Sequence, residues 1–348
     1  MSGCEHHFWA RAGKFCFWLL WIIEVPLAVW CCGAIWYPHW LGGEVVRGIA
    51  MAFFATAMLT ILIASLKQHC WILAGLLLSA GVIVCWLTLL HPTGNFDWDP
   101  PFAKPPVAHF SADESEVTIE NIRDFHYRSE KDYDIRYRTE TYRFDEIISM
   151  YYSIPHWNSS VPFGHIMLVF NFNDGRHLVF SPEARMERGK LYEILPGMFR
   201  RYELIFIFAT EQDAIKLRTH HRKYEQEEVL LYPTNTQPEV AAYLLKDFLR
   251  RSNRLAQCPE FYNGITYNCL SCMAPTAEKL GFDFCSTWRG IFNGYSDRTG
   301  YYTGWLKRSR PDESYADYRR RHTVNQYVEN LENPPDFSAL IRPDDVRK

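Results

Sequence analysis

The chain has 348 residues, with 37 Lys and Arg against 40 Asp and Glu and a formal net charge of −3. Up to His91 the only charged side chains are Glu5, Arg11, Lys14, Glu24, Glu44, Arg47 and Lys67, so almost all charge lies beyond a first boundary at that residue. Those seven sum to +1, which leaves −4 for the remainder and excludes the basic stripe that nucleic acid requires.

Three segments of the front part, Phe15–Tyr37, Val45–Leu66 and Trp71–Leu90, are long enough to cross a bilayer as helices, which takes about 20 apolar residues. They predict a transmembrane region over residues 1–91, with the lipid bilayer as its partner. A cleaved signal peptide does not fit the first segment, whose apolar run is too long for one and is followed by two more. Glu24 and Pro26 fall inside that segment, where helix–helix packing is the simpler reading of a buried ionisable group. Short cytoplasmic loops collect Lys and Arg; Arg11, Lys14 and Lys67 therefore place the N-terminus inside and everything after the third span outside. Arg47 dissents from that pattern.

Residues 92–110 contain five prolines and are expected to form a stiff linker without regular structure. Residues 111–307 predict one α+β domain. Its strand-like runs are Val117–Phe125, Ile135–Phe144, His165–Phe172, His177–Ser181, Tyr202–Ala209 and Val229–Pro233. Pro238–Asn253 reads as a helix with Val240, Leu244, Leu245, Phe248 and Leu249 on one stripe. Asn268–Leu280 reads as another, ended by Gly281, with Pro275 strained unless a second segment starts there. The tail, 308–348, mixes charges of both signs and reads as a solvated helix or flexible end.

No Walker loop, GxGxxG, HExxH or GxSxG is present, so nucleotide, zinc-protease and serine-hydrolase readings lose support, and no cofactor is expected. What remains is His165 on a strand and Cys269 at a helix start, with Asn268 as a natural cap before it. A thiolate is the active nucleophile, and a nearby imidazole or helix N-terminus favours it; spacing alone equally allows a buried cysteine and a core histidine. The four cysteines Cys258, Cys269, Cys272 and Cys285 lack the paired CxxC spacing of a zinc site, so no metal is expected; a disulfide among Cys258, Cys272 and Cys285 and free thiols both stay open.

The runs NIRDFHYRSEKDY at Asn121–Tyr133, FGHIMLVF around His165, FSPEARMERG at Phe180–Gly189, YELIFIF at Tyr202–Phe208, KLRT at Lys216–Thr219 and PEFYNGITYNC at Pro259–Cys269 occur in the order found in a bacterial family. The sequence there resembles the Lnb N-terminal periplasmic domain. It also resembles circularly permuted papain-like enzymes of the NlpC type, in which a strand histidine precedes a helix cysteine. That resemblance implies His165 as base and Cys269 as nucleophile, in a domain outside the bacterial inner membrane.

An imidazole base needs an orienting group. The turn around Asp174-Gly175 suggests a two-residue hairpin loop, which sets position 165 opposite 184. His177 then lies beside the turn, on the order of 20 Å from His165 at about 3.3 Å per residue. Glu183 is at the correct end but on the wrong face, unless a one-residue bulge turns it. Trp157, Tyr262 and Asn268 are candidates for the groove wall. The leading expectation is a membrane-anchored cysteine hydrolase or acyltransferase acting on an amide or ester of envelope material. The rivals are a non-catalytic maturation or assembly factor holding an envelope or exported client, and a scaffold acting through its helices.

Overall fold

The structure, a computed structural model, describes residues 2–157, 162–222, 227–280, 291–331, 334 and 336–342, with side chains from residue 13 onward. The chain divides into two units, one of residues 1–93 with 193–201 and one of residues 94–192 with 202–348.

The first unit holds helices α1 (Ser2–Trp36), α2 (Glu44–Lys67) and α3 (Trp71–Leu89), each long and apolar enough to cross a membrane. Their inner contacts are few, centred on Ala28, Cys31, Ile35, Phe54 and Met58. Large apolar side chains point outward instead: Phe53 is 77 % exposed, Val45 75 % and Leu77 74 %. A bundle in water would bury such groups, whereas lipid is as apolar as they are. Glu24 is fully buried and accepts a hydrogen bond from Ser79 Oγ at 2.7 Å, so it joins α1 to α3. Arg47 Nη1 donates to the carbonyls of Trp36, Tyr37 and Pro38 at 2.9, 3.0 and 3.1 Å. Those carbonyls lie at the end of α1, where backbone acceptors lack helical partners, and this local role accounts for a cation at the start of α2. The short helix α5 (Ile194–Gly197) and Phe199 belong to the same unit, with the Phe199 ring seated where a Cβ on Gly33 would stand 2.4 Å away.

The second unit is α+β. After α4 (Pro100–Ala103), its main sheet runs β1 (Val107–Phe110), β2 (Glu116–Arg123), β9 (Tyr202–Ala209), β8 (His177–Arg185), β7 (Met167–Phe172), β6 (Ile147–His156) and β10 (Glu228–Pro233). Strand β5 (Tyr137–Arg143) adds to β2 and β11 (Phe261–Tyr262) to β9, while β3 (His126–Tyr127) and β4 (Tyr133–Asp134) form a separate small ribbon. The pairings are antiparallel except β2 with β9. Both faces of the sheet are covered, so its strands read as nearly continuous apolar runs. Met150, Leu168, Phe170, Phe180 and Phe206 point to the side of α7 (Pro238–Gln257). Tyr151, Val169, Val179, Ile205 and Leu231 point to the side of α6 (Glu211–Lys216).

Several expectations are corrected. The proline-rich stretch holds α4, with Pro100 and Pro101 in its first turn where a missing N–H costs nothing, and strand β1, which begins only after Pro106. Strand β6 was not foreseen: Ser149, Ser153 and Pro155 interrupt its apolar pattern, yet it pairs on both sides. Among the described residues, part of the tail is packed rather than solvated. Val324, Val328, Phe337 and Ile341 pack on the α6 side of the sheet, and buried Arg342 pairs with Glu211. Its apolar residues are too sparse to show a period, while its charges dominate composition.

Candidate active site

The hairpin of β7 and β8 decides the geometry. Leu168 pairs with Phe180 and Asn171 with His177, a register one residue away from the expected one. The loop is three residues long, Asn173–Gly175: Gly175 N–H donates to Phe172 O at 3.1 Å and Phe172 N–H to Arg176 O at 3.0 Å. Gly175 has φ +84°, as this loop type demands at its last residue, and that residue is the bulge. Continuing the register sets position 183 opposite 165. Glu183 therefore reaches the histidine without an irregularity beside it: Glu183 Oε1 is 3.1 Å from His165 Nε2.

His165 lies just before β7, buried, its backbone N–H donating to Pro155 O at 2.9 Å. Its Nε2 is also 2.7 Å from Ser181 Oγ, and Ser181 donates to Glu183 Oε1 at 2.8 Å. Since the single hydroxyl hydrogen goes to the carboxylate, the serine oxygen accepts from Nε2–H. The nitrogen left over is Nδ1, and the Cys269 side chain interacts with the same ring, raising its pKa. Burial pushes the His165 pKa down, but the Glu183 carboxylate and the Cys269 side chain together outweigh it and the imidazole rises to about 9. Burial likewise opposes ionisation of Glu183, yet His165 and Arg218 hold its carboxyl well below the usual range. Arg218 Nη2 is 3.5 Å from Glu183 Oε1 and is itself paired with buried Glu227 at 3.1 Å. A buried charge is tolerable when paired in this way.

Cys269 lies in a turn rather than in a helix; 3₁₀ residues Ser271–Met273 follow, then α8 (Ala274–Glu278) with Pro275 in its first turn. The break allows the proline that one continuous helix would not. Asn268, expected in the groove wall, is buried and shapes this turn, its Oδ1 accepting from Leu270 N–H and Ser271 N–H at 3.0 Å each. The thiol is free, as is Cys258; Cys285 and Gly281 lie outside the described residues. Tyr262 is buried on β11. Burial first, with Cys269 nearby, pushes its hydroxyl well above its usual pKa and that of Tyr192 up to about 12. Trp157 is half-buried just beyond β6. His177, at the other end of the hairpin, contacts Asn171 Oδ1 at 2.8 Å.

Asn293 was not foreseen. Its Oδ1 accepts from Gly164 N–H at 3.0 Å, which orients the amide, and its Nδ2 stands 3.1 Å from Cys269 Sγ. Gly164 itself has no room for a side chain, since a Cβ would lie 2.9 Å from Ile154 Cγ1. No motif marks Asn293, because it is joined to the thiol only by folding. Cys269 is 2 % exposed and His165 5 %, so the open aromatic cleft expected at the thiol is not present among the described residues.

No curated protein and no solved structure matches the chain. Three apolar helices and a likeness to a periplasmic domain fit a membrane protein that carries such a domain. That likeness covers Cys269, His165, Glu183 and Asn293: residues 133–294 match the family model of the Lnb N-terminal periplasmic domain.

Proposed function

We propose that this protein is a membrane-anchored cysteine hydrolase or acyltransferase acting on an amide or ester of cell-envelope material. Its N-terminus would face the cytoplasm and its domain the periplasm of a bacterial inner membrane. What supports the reading is the set His165, Ser181, Glu183, with Nε2 held by Ser181 and Glu183, and the Cys269 side chain near enough to raise the pKa of the same ring. The likeness to permuted papain-like enzymes, in which the histidine precedes the cysteine, points the same way.

Sulfur attacks the carbonyl carbon, and His165, whose ring holds its proton up to about pH 9, gives that proton to the leaving group. Glu183 holds the ring and stabilises its charge. The backbone N–H of Cys269 and the Asn293 amide are the donors for the oxyanion. Labelling the intact protein with an activity-directed thiol probe, and mapping the modified residue, tests this: the reading requires Cys269. A phenotype undiminished in Cys269→Ala would overturn it. The burial of Cys269, 2 % exposed, favours the second reading, a maturation factor that holds a client without chemistry, and that reading takes the lead if Cys269 is inert.

A further inference from the structure

Between Tyr192 and Tyr202, whose ring centroids are 5.3 Å apart, residues 193–201 leave the second unit and belong to the unit of the apolar helices. From Ile194 to Phe199 this loop carries no charge. Its turn bonds its own backbone: the N–H groups of Gly197, Met198 and Phe199 donate to the carbonyls of Glu193, Leu195 and Pro196 at 3.2, 3.1 and 2.9 Å, and Pro196 has no N–H to satisfy. Pro196, Gly197 and Phe199 are buried, whereas Ile194 is 54 % and Leu195 51 % exposed. Self-bonded backbone with aliphatic side chains turned outward is what a surrounding without water asks of a chain.

The loop is seated at the depth where α1 and α3 end. Phe199 packs on Gly33, its ring centroid 5.8 Å from that of Trp30 and 5.3 Å from that of Tyr37. Gly33 is three residues before the end of α1, about 4–5 Å at 1.5 Å per residue. Arg200 lies over the ring of Trp86, 4.1 Å from its centroid, and Trp86 is three residues before the end of α3. Arg200 has φ +59°, a left-handed backbone that a residue with a side chain keeps only where its surroundings fix it. Aromatic and cationic side chains at helix ends mark the boundary between hydrocarbon and headgroups. We propose that residues 193–201 form an interfacial membrane contact, with Ile194 and Leu195 inserted among the lipid chains of the leaflet in which α1 and α3 end and Arg200 at the level of its headgroups. The occupant is lipid because the patch continues the outward apolar surface of those helices, on which Val29, Leu87 and Leu89 are exposed near the same ends. The sheet domain gains by it a second tether to the bilayer, besides the chain link at residues 93–94, and this holds whatever the chemistry of Cys269.

The test needs no substitution. The full chain in nanodiscs of phosphatidylethanolamine and phosphatidylglycerol is photolysed with a lipid-soluble aryl diazirine and, separately, with a water-soluble one. Trypsin releases Leu191–Arg200 as one peptide, and tandem mass spectrometry places the adducts within it. Because an apolar label partitions with hydrocarbon, its yield on Ile194 and Leu195 is expected within about threefold of that on the outward Leu59 and Leu77 of the helices, and about tenfold or more above that on Ile148, an exposed side chain of β6. Labelling of Ile194 and Leu195 by the water-soluble reagent alone overturns the proposal. Adducts confined to Phe199 reduce the loop to packing against α1 and overturn it as well. Protection of both side chains from both reagents assigns the patch to a protein partner, a second copy of the chain included, and has the same consequence.

Discussion

The two ends of one hairpin treat the same residue type in opposite ways. His165, before β7, is pushed up to about 9, while His177, at the start of β8, is lowered by its burial. His165 is buried and His177 half-buried, and burial alone would lower both. The difference lies in which charge faces the ring. Glu183 Oε1 is 3.1 Å from His165, and the Arg218 that approaches it is already held by Glu227. At the other end Glu211 is taken by Arg342, whose Nη2 lies 3.3 Å from His177 Nδ1. A carboxylate in contact with the ring makes a proton holder; where the carboxylate is held by a guanidinium instead, burial prevails and the pKa falls.

The largest expected effect separates the two ends by chemistry. Cys269→Ala should lower ester or amide turnover by about a thousandfold or more, and His165→Ala by about 10²–10⁴-fold, because the two act as a unit. Steady-state and single-turnover rates check this, and a fully active His165→Ala would show the ring to be structural.

Glu183→Gln converts the first end into something closer to the second. The His165 titration, followed by NMR, should fall from about 9 toward or below its ordinary value, and stability should drop by about 3 kcal/mol, as when one partner of a buried pair is removed. The sign with pH is fixed. His165 has a folded pKa above its ordinary value of 6.5, so its contribution is complete below that pH and is lost as pH rises through about 9. Glu183, held below 4.5, contributes above that pH and loses its share as pH falls. The stability gap between wild type and Glu183→Gln should therefore shrink on the alkaline side between about pH 6.5 and 9, read by denaturant titration. A gap constant across that range would detach Glu183 from His165.

Asn293→Asp places a carboxylate where an N–H now faces Sγ, and alkylation of Cys269 by iodoacetamide at pH 7 should slow by about tenfold, more than in Asn293→Ala. Equal slowing in both would reduce Asn293 to a spacer. The smallest effect belongs to the far end: His177→Gln should change turnover by no more than about twofold, and a larger loss would mean that the two ends are coupled.

Much of this was legible before folding. The spans needed only length and polarity, and α7 showed its stripe through Leu244, Leu245, Phe248 and Leu249. Strand β6 was hidden by Ser153 and Pro155, and the packing of the tail by the isolation of Val324, Val328 and Phe337. Cys269, His165 and Glu183 could be nominated from residue chemistry, hairpin position and resemblance, but Asn293, Ser181 and Arg218 could not, since no spacing joins them to the thiol.

The sequence by itself determined that three apolar helices precede an α+β domain, because hydrophobicity over about 20 residues is a local quantity. It also confined the orienting group to the end of the hairpin far from its turn. Only the tertiary structure decided which face Glu183 presents. A loop of three residues rather than two shifts the register by one, and with side chains alternating at a period of two, that single residue turns the carboxylate toward the imidazole instead of away from it.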